Sequence, residues 1–166
     1  MKEIIFLKKI KKEGKLQLVE PSEEMKSSYL IKADNCLKSS KILFQNALYE
    51  NSTSEAYYCI YNSLLALLFK IGIKSENHSA SIILFSRLFD NKELAKIALW
   101  AKEERIDKQY YVETKQINIT TKKSCDEMIS KTEDFLLKMR TIMSELNNEK
   151  TSSIRKSYEN LFKITN

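Results

Sequence analysis

The sequence predicts an all-α fold: an antiparallel up-and-down helical bundle of four to five main helices plus short flanking helices. Three observations lead there. Two glycines and one proline in 166 residues supply too little turn chemistry for a sheet-rich fold. Lys, Glu, Leu and Ile are abundant, which favours long helices. Apolar residues recur at three- and four-residue spacing along most of the chain.

Taken in order, residues 1–20 read as a basic N-terminal extension, a short amphipathic helix ending near Gly14 followed by the extended segment KLQLVEP. Pro21 with Ser22, Glu23 and Glu24 is a helix start, proline early and acids in the first turn. Leu30, Ala33, Leu37, Phe44 and Leu48 then mark one long helix to about Tyr49, with Ser40 filling the gap in the stripe. Ser52-Thr53-Ser54-Glu55 has the pattern of a capping box opening the next helix. That helix, AYYCIYNSLLALLFKI, is apolar on nearly every face and stops at Gly72, so it belongs at the bundle centre or in a dimer seam. The loop GIKSEN leads to His78 and a short helix, and Asp90 with Glu93 forms a second capping pattern for a helix through Trp100 towards Arg105. QYYVETKQINIT reads as a looser connection. After Thr120 and Thr121 come Cys125, Met128, Thr132, Phe135, Met139, Ile142 and Leu146, the cleanest helical stripe in the chain. NNEKTSS breaks it, and Ile154, Tyr158, Leu161 and Phe162 mark a C-terminal amphipathic helix within 148–166. The main bundle is thus 21–147.

The net charge of +6 is unevenly placed. Residues 1–20 hold six lysines against three glutamates, and 148–166 hold four basic groups against two acidic ones. Basic ends on a nearly neutral body suit either nucleic-acid contact or plain solubility. No apolar run is long enough to span a membrane, and charges interrupt the N-terminal apolar stretch too early for a signal peptide; a cytoplasmic protein without membrane contact is expected. Cys36, Cys59 and Cys125 lie far apart with no CxxC pair, and one histidine leaves a metal site short of ligands, so structural cysteines, no metal and no cofactor are expected.

The segment AYYCIYNSLLALLFKIGIKSENHSASIILF resembles the signature of archaeal and bacterial HEPN proteins. Ala56, Tyr57 and Tyr58 match the opening Ala-Tyr-Tyr, Ala66-Leu67-Leu68 the middle, Gly72 the helix stop and His78 the histidine. ERIDKQYY resembles the family's Arg-x-x-x-Asp-Tyr element, with Arg105 and Tyr110 in place. The likeness covers about residues 14–146. Asn62 and Leu65 stand where many relatives carry histidine and arginine, and Gln109-Tyr110 stands for Asp-Tyr.

Ribonuclease members of that superfamily use an arginine followed within a few residues by a histidine, two such motifs meeting across a dimer. Here the only histidine is His78 and no arginine precedes it; Tyr110 falls where the histidine would follow Arg105, and tyrosine is a poor proton shuttle at neutral pH. The resemblance therefore implies a non-catalytic, homodimeric HEPN binding module beside a minimal nucleotidyltransferase, in a two-gene toxin–antitoxin-like system. The alternatives are a HEPN ribonuclease toxin with a divergent active site, or a purely structural helical adaptor. Tyr58, Asn62, Arg105 and Tyr110 are the expected nucleotide- or RNA-phosphate-binding residues: tyrosines can stack a base and arginine can hold a phosphate. The competing reading of Tyr57, Tyr58 and Tyr61 is core and interface aromatics with hydroxyls at the rim. His78 is expected to close its loop or cap the following helix. Tyr110 and Tyr111 are candidate modification targets, because some HEPN toxins are silenced by AMP transfer to a tyrosine near the catalytic motif.

Overall fold

The computed structural model describes residues 2–110 (backbone alone at 107–110) and 120–163. Over these residues the chain is an all-α bundle, in chain order α1 (Lys2–Lys12), β1 (Leu16–Leu18), α2 (Glu23–Gln45), α3 (Tyr49–Lys70), β2 (Ile73–Ser75), α4 (His78–Phe89), α5 (Lys92–Tyr110), α6 (Lys122–Ser144) and α7 (Asn148–Lys163).

α3 is the central element, as its all-round apolarity requires. It packs against α2, α5 and α6, and Ala56, Tyr57, Ile60, Leu64 and Leu67 meet Phe85, Ala98, Met128, Phe135 and Met139 in the main core. α2 begins where its start signal sits: Ser22 is the N-cap and its Oγ accepts from the Met25 amide at 3.1 Å. Ser40, the gap in the α2 stripe, is fully buried and donates to the Ser52 carbonyl at 2.8 Å, while the Ser52 hydroxyl donates to the Ser40 carbonyl at 2.8 Å. This reciprocal pair pins α2 to α3 without leaving a buried hydroxyl unsatisfied.

Several boundaries differ from the sequence reading. α2 stops at Gln45, and Ala47, with φ 58°, turns the chain straight into α3. α3 therefore opens at Tyr49 after an uncapped Leu48, and Ser52 and Thr53 are buried within the helix instead of forming a capping box. Leu48 is exposed. Asp90 is the left-handed end of α4, and the cap of α5 is Asn91, whose side chain accepts from the Leu94 amide at 3.1 Å. α5 continues to Tyr110, so Gln109 and Tyr110 are helical where a loose connection is expected; 111–119 lie outside the described residues. α7 begins at Asn148, inside the stretch read as a break.

KLQLVEP and GIKSEN, read as an extended segment and a loop, contain the two strands. They pair antiparallel with Leu16 opposite Ser75, Gln17 opposite Lys74 and Leu18 opposite Ile73. Above this ribbon lies a second core, in which Leu7 and Ile10 of α1, Leu16, Leu68, Ile71, Ile73, Leu84 and Tyr158 of α7 are buried together. Both basic ends of the chain thus lie on the bundle. Gly72, with φ 75°, closes α3 as its sequence position predicts, and the Arg155 guanidinium of α7 donates to the carbonyls of Val19, Ile71 and Gly72 at 2.8, 3.0 and 3.0 Å. A cation on the open carbonyls of a helix C-terminus is favoured by both hydrogen bonding and the helix dipole.

Among the described residues no helix is long and apolar enough to cross a membrane. Cys36, Cys59 and Cys125 are all free thiols, the latter two buried.

Candidate functional site

The polar cluster of the molecule forms where the first half of α3 faces the start of α4 and the middle of α5. Tyr57 and Tyr61, one helical turn apart, share a face of α3, their rings 6.4 Å apart and nearly parallel at 10°. The His78 ring lies on Tyr61 at 3.7 Å between centroids and 11° between planes, and 5.6 Å from the Tyr57 ring. The Tyr57 hydroxyl and His78 Nδ1 are hydrogen-bonded. His78 is the first residue of α4, and the cap expected of it is Asn77, whose side chain accepts from the Ala80 amide at 2.9 Å.

α5 supplies the charge. Arg105 lays its guanidinium over two tyrosine rings, its Cζ 5.0 Å from the Tyr58 centroid and 5.5 Å from that of Tyr57. Its Nε is buried and has no hydrogen-bond partner among the described residues. Cation–π contact holds the plane of the group against the two rings. Lys102, one turn earlier on α5, donates to the Ser79 hydroxyl at 2.7 Å. Burial, then the positive charges of Arg105 and Lys102, hold the His78 ring well below its ordinary range, at about 4. Burial pushes the Tyr61 hydroxyl up to about 12, and pushes that of Tyr57 further still, with the neighbouring Tyr61 hydroxyl adding to the effect. At neutral pH the His78 imidazole and the Tyr57 and Tyr61 phenols are therefore uncharged.

The sequence-predicted residues are only partly assembled. Tyr58 and Arg105 meet. Asn62 turns to the α2 seam, where its amide donates to Cys36 Sγ at 3.6 Å. Burial, followed by the nearby Glu55 carboxylate, raises the Cys36 thiol to about 11. The side chain of Tyr110, and all of Tyr111, lie outside the described residues. Lys102 and Ser79 were not foreseen. A signal existed for Lys102: its three-residue spacing from Arg105 puts both on one face of α5. Ser79 is brought in by tertiary packing alone.

Elsewhere, an open cavity of about 370 Å³ between α4, α6 and α7 is lined mainly by Leu88, Phe89, Ile142, Leu146 and Ile154, and none of the predicted site residues borders it. No three His, Cys, Asp or Glu side chains gather as metal ligands would among the described residues.

Comparison with known proteins adds two findings. A family profile described as the HEPN domain matches residues 27–142, the greater part of the chain. The chain is also similar to a protein of Methanocaldococcus jannaschii called "Putative toxin MJ0605", with 36% identity over 70 residues, which is 42% of this chain and 52% of the relative. The match thus spans about half the length of that protein.

Proposed function

This chain belongs to the HEPN family, and on that premise we propose that it is a nucleotide- or RNA-phosphate-binding module with a toxin-like role, acting without catalysis. It works as a homodimer in a two-gene system beside a minimal nucleotidyltransferase. The observation that carries this reading is Arg105, whose guanidinium is braced on Tyr57 and Tyr58 and keeps a buried Nε–H without a partner. Arg105 as a whole is only partly buried, and a guanidinium held flat on two rings presents a fixed positive charge to a phosphate. The name of the Methanocaldococcus jannaschii relative supports the toxin-like part.

The test is phosphate and short-RNA titration of wild type and Arg105→Ala, followed by NMR. Wild type is expected to show saturable shifts at α3 and α5, and the variant to bind at least about tenfold more weakly, roughly 1.4 kcal/mol. Identical responses would sink the binding reading. Purification from the native host with intact-mass spectrometry tests the partnership: a bound nucleotidyltransferase, or AMP on a tyrosine, supports the two-gene system, and a clean unmodified homodimer supports a structural adaptor.

A divergent ribonuclease toxin is the second reading, favoured because folding sets the only histidine within electrostatic reach of Arg105. Against it stand a His78 neutral down to about 4 and an Nδ1 already occupied by Tyr57, both poor features in a proton shuttle at neutral pH. RNA cleavage by purified protein that disappears in Arg105→Ala would establish this reading over the first.

A further inference from the structure

The hydrogen-bond inventory around His78 fixes which of its nitrogens carries hydrogen. The Tyr57 side chain is 1% exposed, and its hydroxyl pairs with His78 Nδ1. If Nδ1 carried the hydrogen, the Tyr57 O–H would be left buried without an acceptor, a cost of about 1–3 kcal/mol. The satisfied arrangement has Tyr57 donating to a bare Nδ1, which places the imidazole hydrogen on Nε2. With the ring neutral, His78 is then a permanent donor at Nε2. Its flat stack on Tyr61 removes the freedom to rotate away.

Three groups lie about Tyr57 and the start of α4: Arg105 on the Tyr57 ring face, His78 on the Tyr57 hydroxyl, and Lys102 on Ser79, the residue after His78. Among the described residues, the charged and titratable groups around the ring are Tyr57 and Tyr61 from α3 and Lys102 and Arg105 from α5. Glu76, just before α4, is engaged by Lys74 at 2.6 Å. Two positive charges with a third, neutral donor match a terminal phosphate monoester, which carries about −1.5 to −2 charges and three acceptor oxygens. An internal phosphodiester offers a smaller charge and one free oxygen fewer.

We infer that His78, Lys102 and Arg105 form a receptor for a terminal phosphate monoester, the 5′ end of an RNA or the phosphate of a mononucleotide, with His78 as a donor and not a base. This rests on the phosphate-binding reading above and narrows it from any phosphate to a chain end. Tyr57 acts as a positioning residue, setting the His78 tautomer.

The experiment uses the full chain and two RNAs of identical sequence, labelled at the 3′ end, one with a 5′ phosphate and one with a 5′ hydroxyl. Fluorescence anisotropy is expected to give about tenfold or more tighter binding of the phosphorylated RNA, and Lys102→Ala is expected to erase that preference. Equal affinities, both weakened by Arg105→Ala, would overturn the terminal-phosphate receptor and leave general phosphate binding standing. Absence of binding by either RNA would overturn both. Nitrogen-15 NMR of the His78 imidazole supplies an independent check: a hydrogen on Nε2 is expected, and a hydrogen on Nδ1 would overturn the donor role.

Discussion

Arg155 and Arg105 flank the same central helix and are used in opposite ways. Arg155 sits at the C-terminal end of α3, where its Nη1 is directed into the fold towards three carbonyl acceptors from two segments of chain. Arg105 lies against the first half of α3, held by aromatic faces, with its Nε buried and unpartnered. An arginine whose donors are matched by backbone acceptors is a structural fastener. An arginine whose plane is fixed by ring faces is the one proposed above to meet a phosphate. The second core and the polar cluster therefore respond differently to substitution: one should lose stability, the other binding.

Five experiments sharpen or break that contrast. The largest effect is expected at Gly72, where a Cβ would stand 1.9 Å from Arg155 Nη1 and 2.4 Å from the Val19 carbonyl oxygen, on a backbone with φ +75°. Gly72→Ala should cost roughly 2–5 kcal/mol in urea unfolding, combining left-handed strain with overpacking. A loss under about 1 kcal/mol would mean that the clasp yields easily. Arg155→Met comes next, at about 2–3 kcal/mol by the same measurement, for lost charged hydrogen bonds and carbonyls left without a partner. An unchanged midpoint would show that Arg155 is decoration.

The pH dependence of stability probes the other region. His78 has its folded value depressed to about 4 from 6.5, so between those values the unfolded chain binds more protons. Its contribution is fully present above about pH 6.5 and is lost as pH falls towards 4. The ring is partly exposed, so the loss should be only about 1–2 kcal/mol. It should be absent from His78→Phe, and a variant that keeps the same slope would refute the assignment to His78. Tyr158 is fully buried with its hydroxyl unpartnered; Tyr158→Phe should be neutral or more stable by up to about 1 kcal/mol, read from the melting temperature. The smallest stability effect, within about 0.5 kcal/mol, is expected for Arg105→Met, since lost ring contacts are offset by removing the unsatisfied donor. If that variant instead unfolds the protein, Arg105 belongs with Arg155 as a fastener and the contrast collapses.

What was readable in the sequence follows from range. The centrality of α3, the α6 stripe, the Ser22 start and the Gly72 stop are written in neighbouring residues, where spacing and local chemistry leave a mark. The strands left none. Each is three residues long, too short for an alternation to stand out, and their pairing joins segments separated by the whole of α2 and α3. The capping patterns at Ser52 and Asp90 failed because the first turns lie elsewhere, set by the Ala47 turn and by Asn91. Tyr58 and Arg105 could be named as site residues by their chemistry and family resemblance. Asn62 could not be excluded, because nothing local says that Cys36 will be its neighbour. Lys102 is one lysine among many on a basic chain, and its partner Ser79 lies on another helix.

The Ala47 turn also orders events in time. It joins α2 and α3, the most extensively packed pair of helices, through only a few residues, so their encounter closes a short loop at little entropic cost. The β1–β2 ribbon and the Arg155 contacts close far longer loops and gain nothing until the hairpin stands. Contact order on this topology predicts that α2 and α3 form first and the second core is fastened late, an order that unfolding and refolding rates of Arg155→Met would check. The cost of Arg155→Met would then fall on the unfolding rate, with the folding rate nearly untouched. The fastener acts as a latch, governing how long the native state lasts and not how quickly it is found.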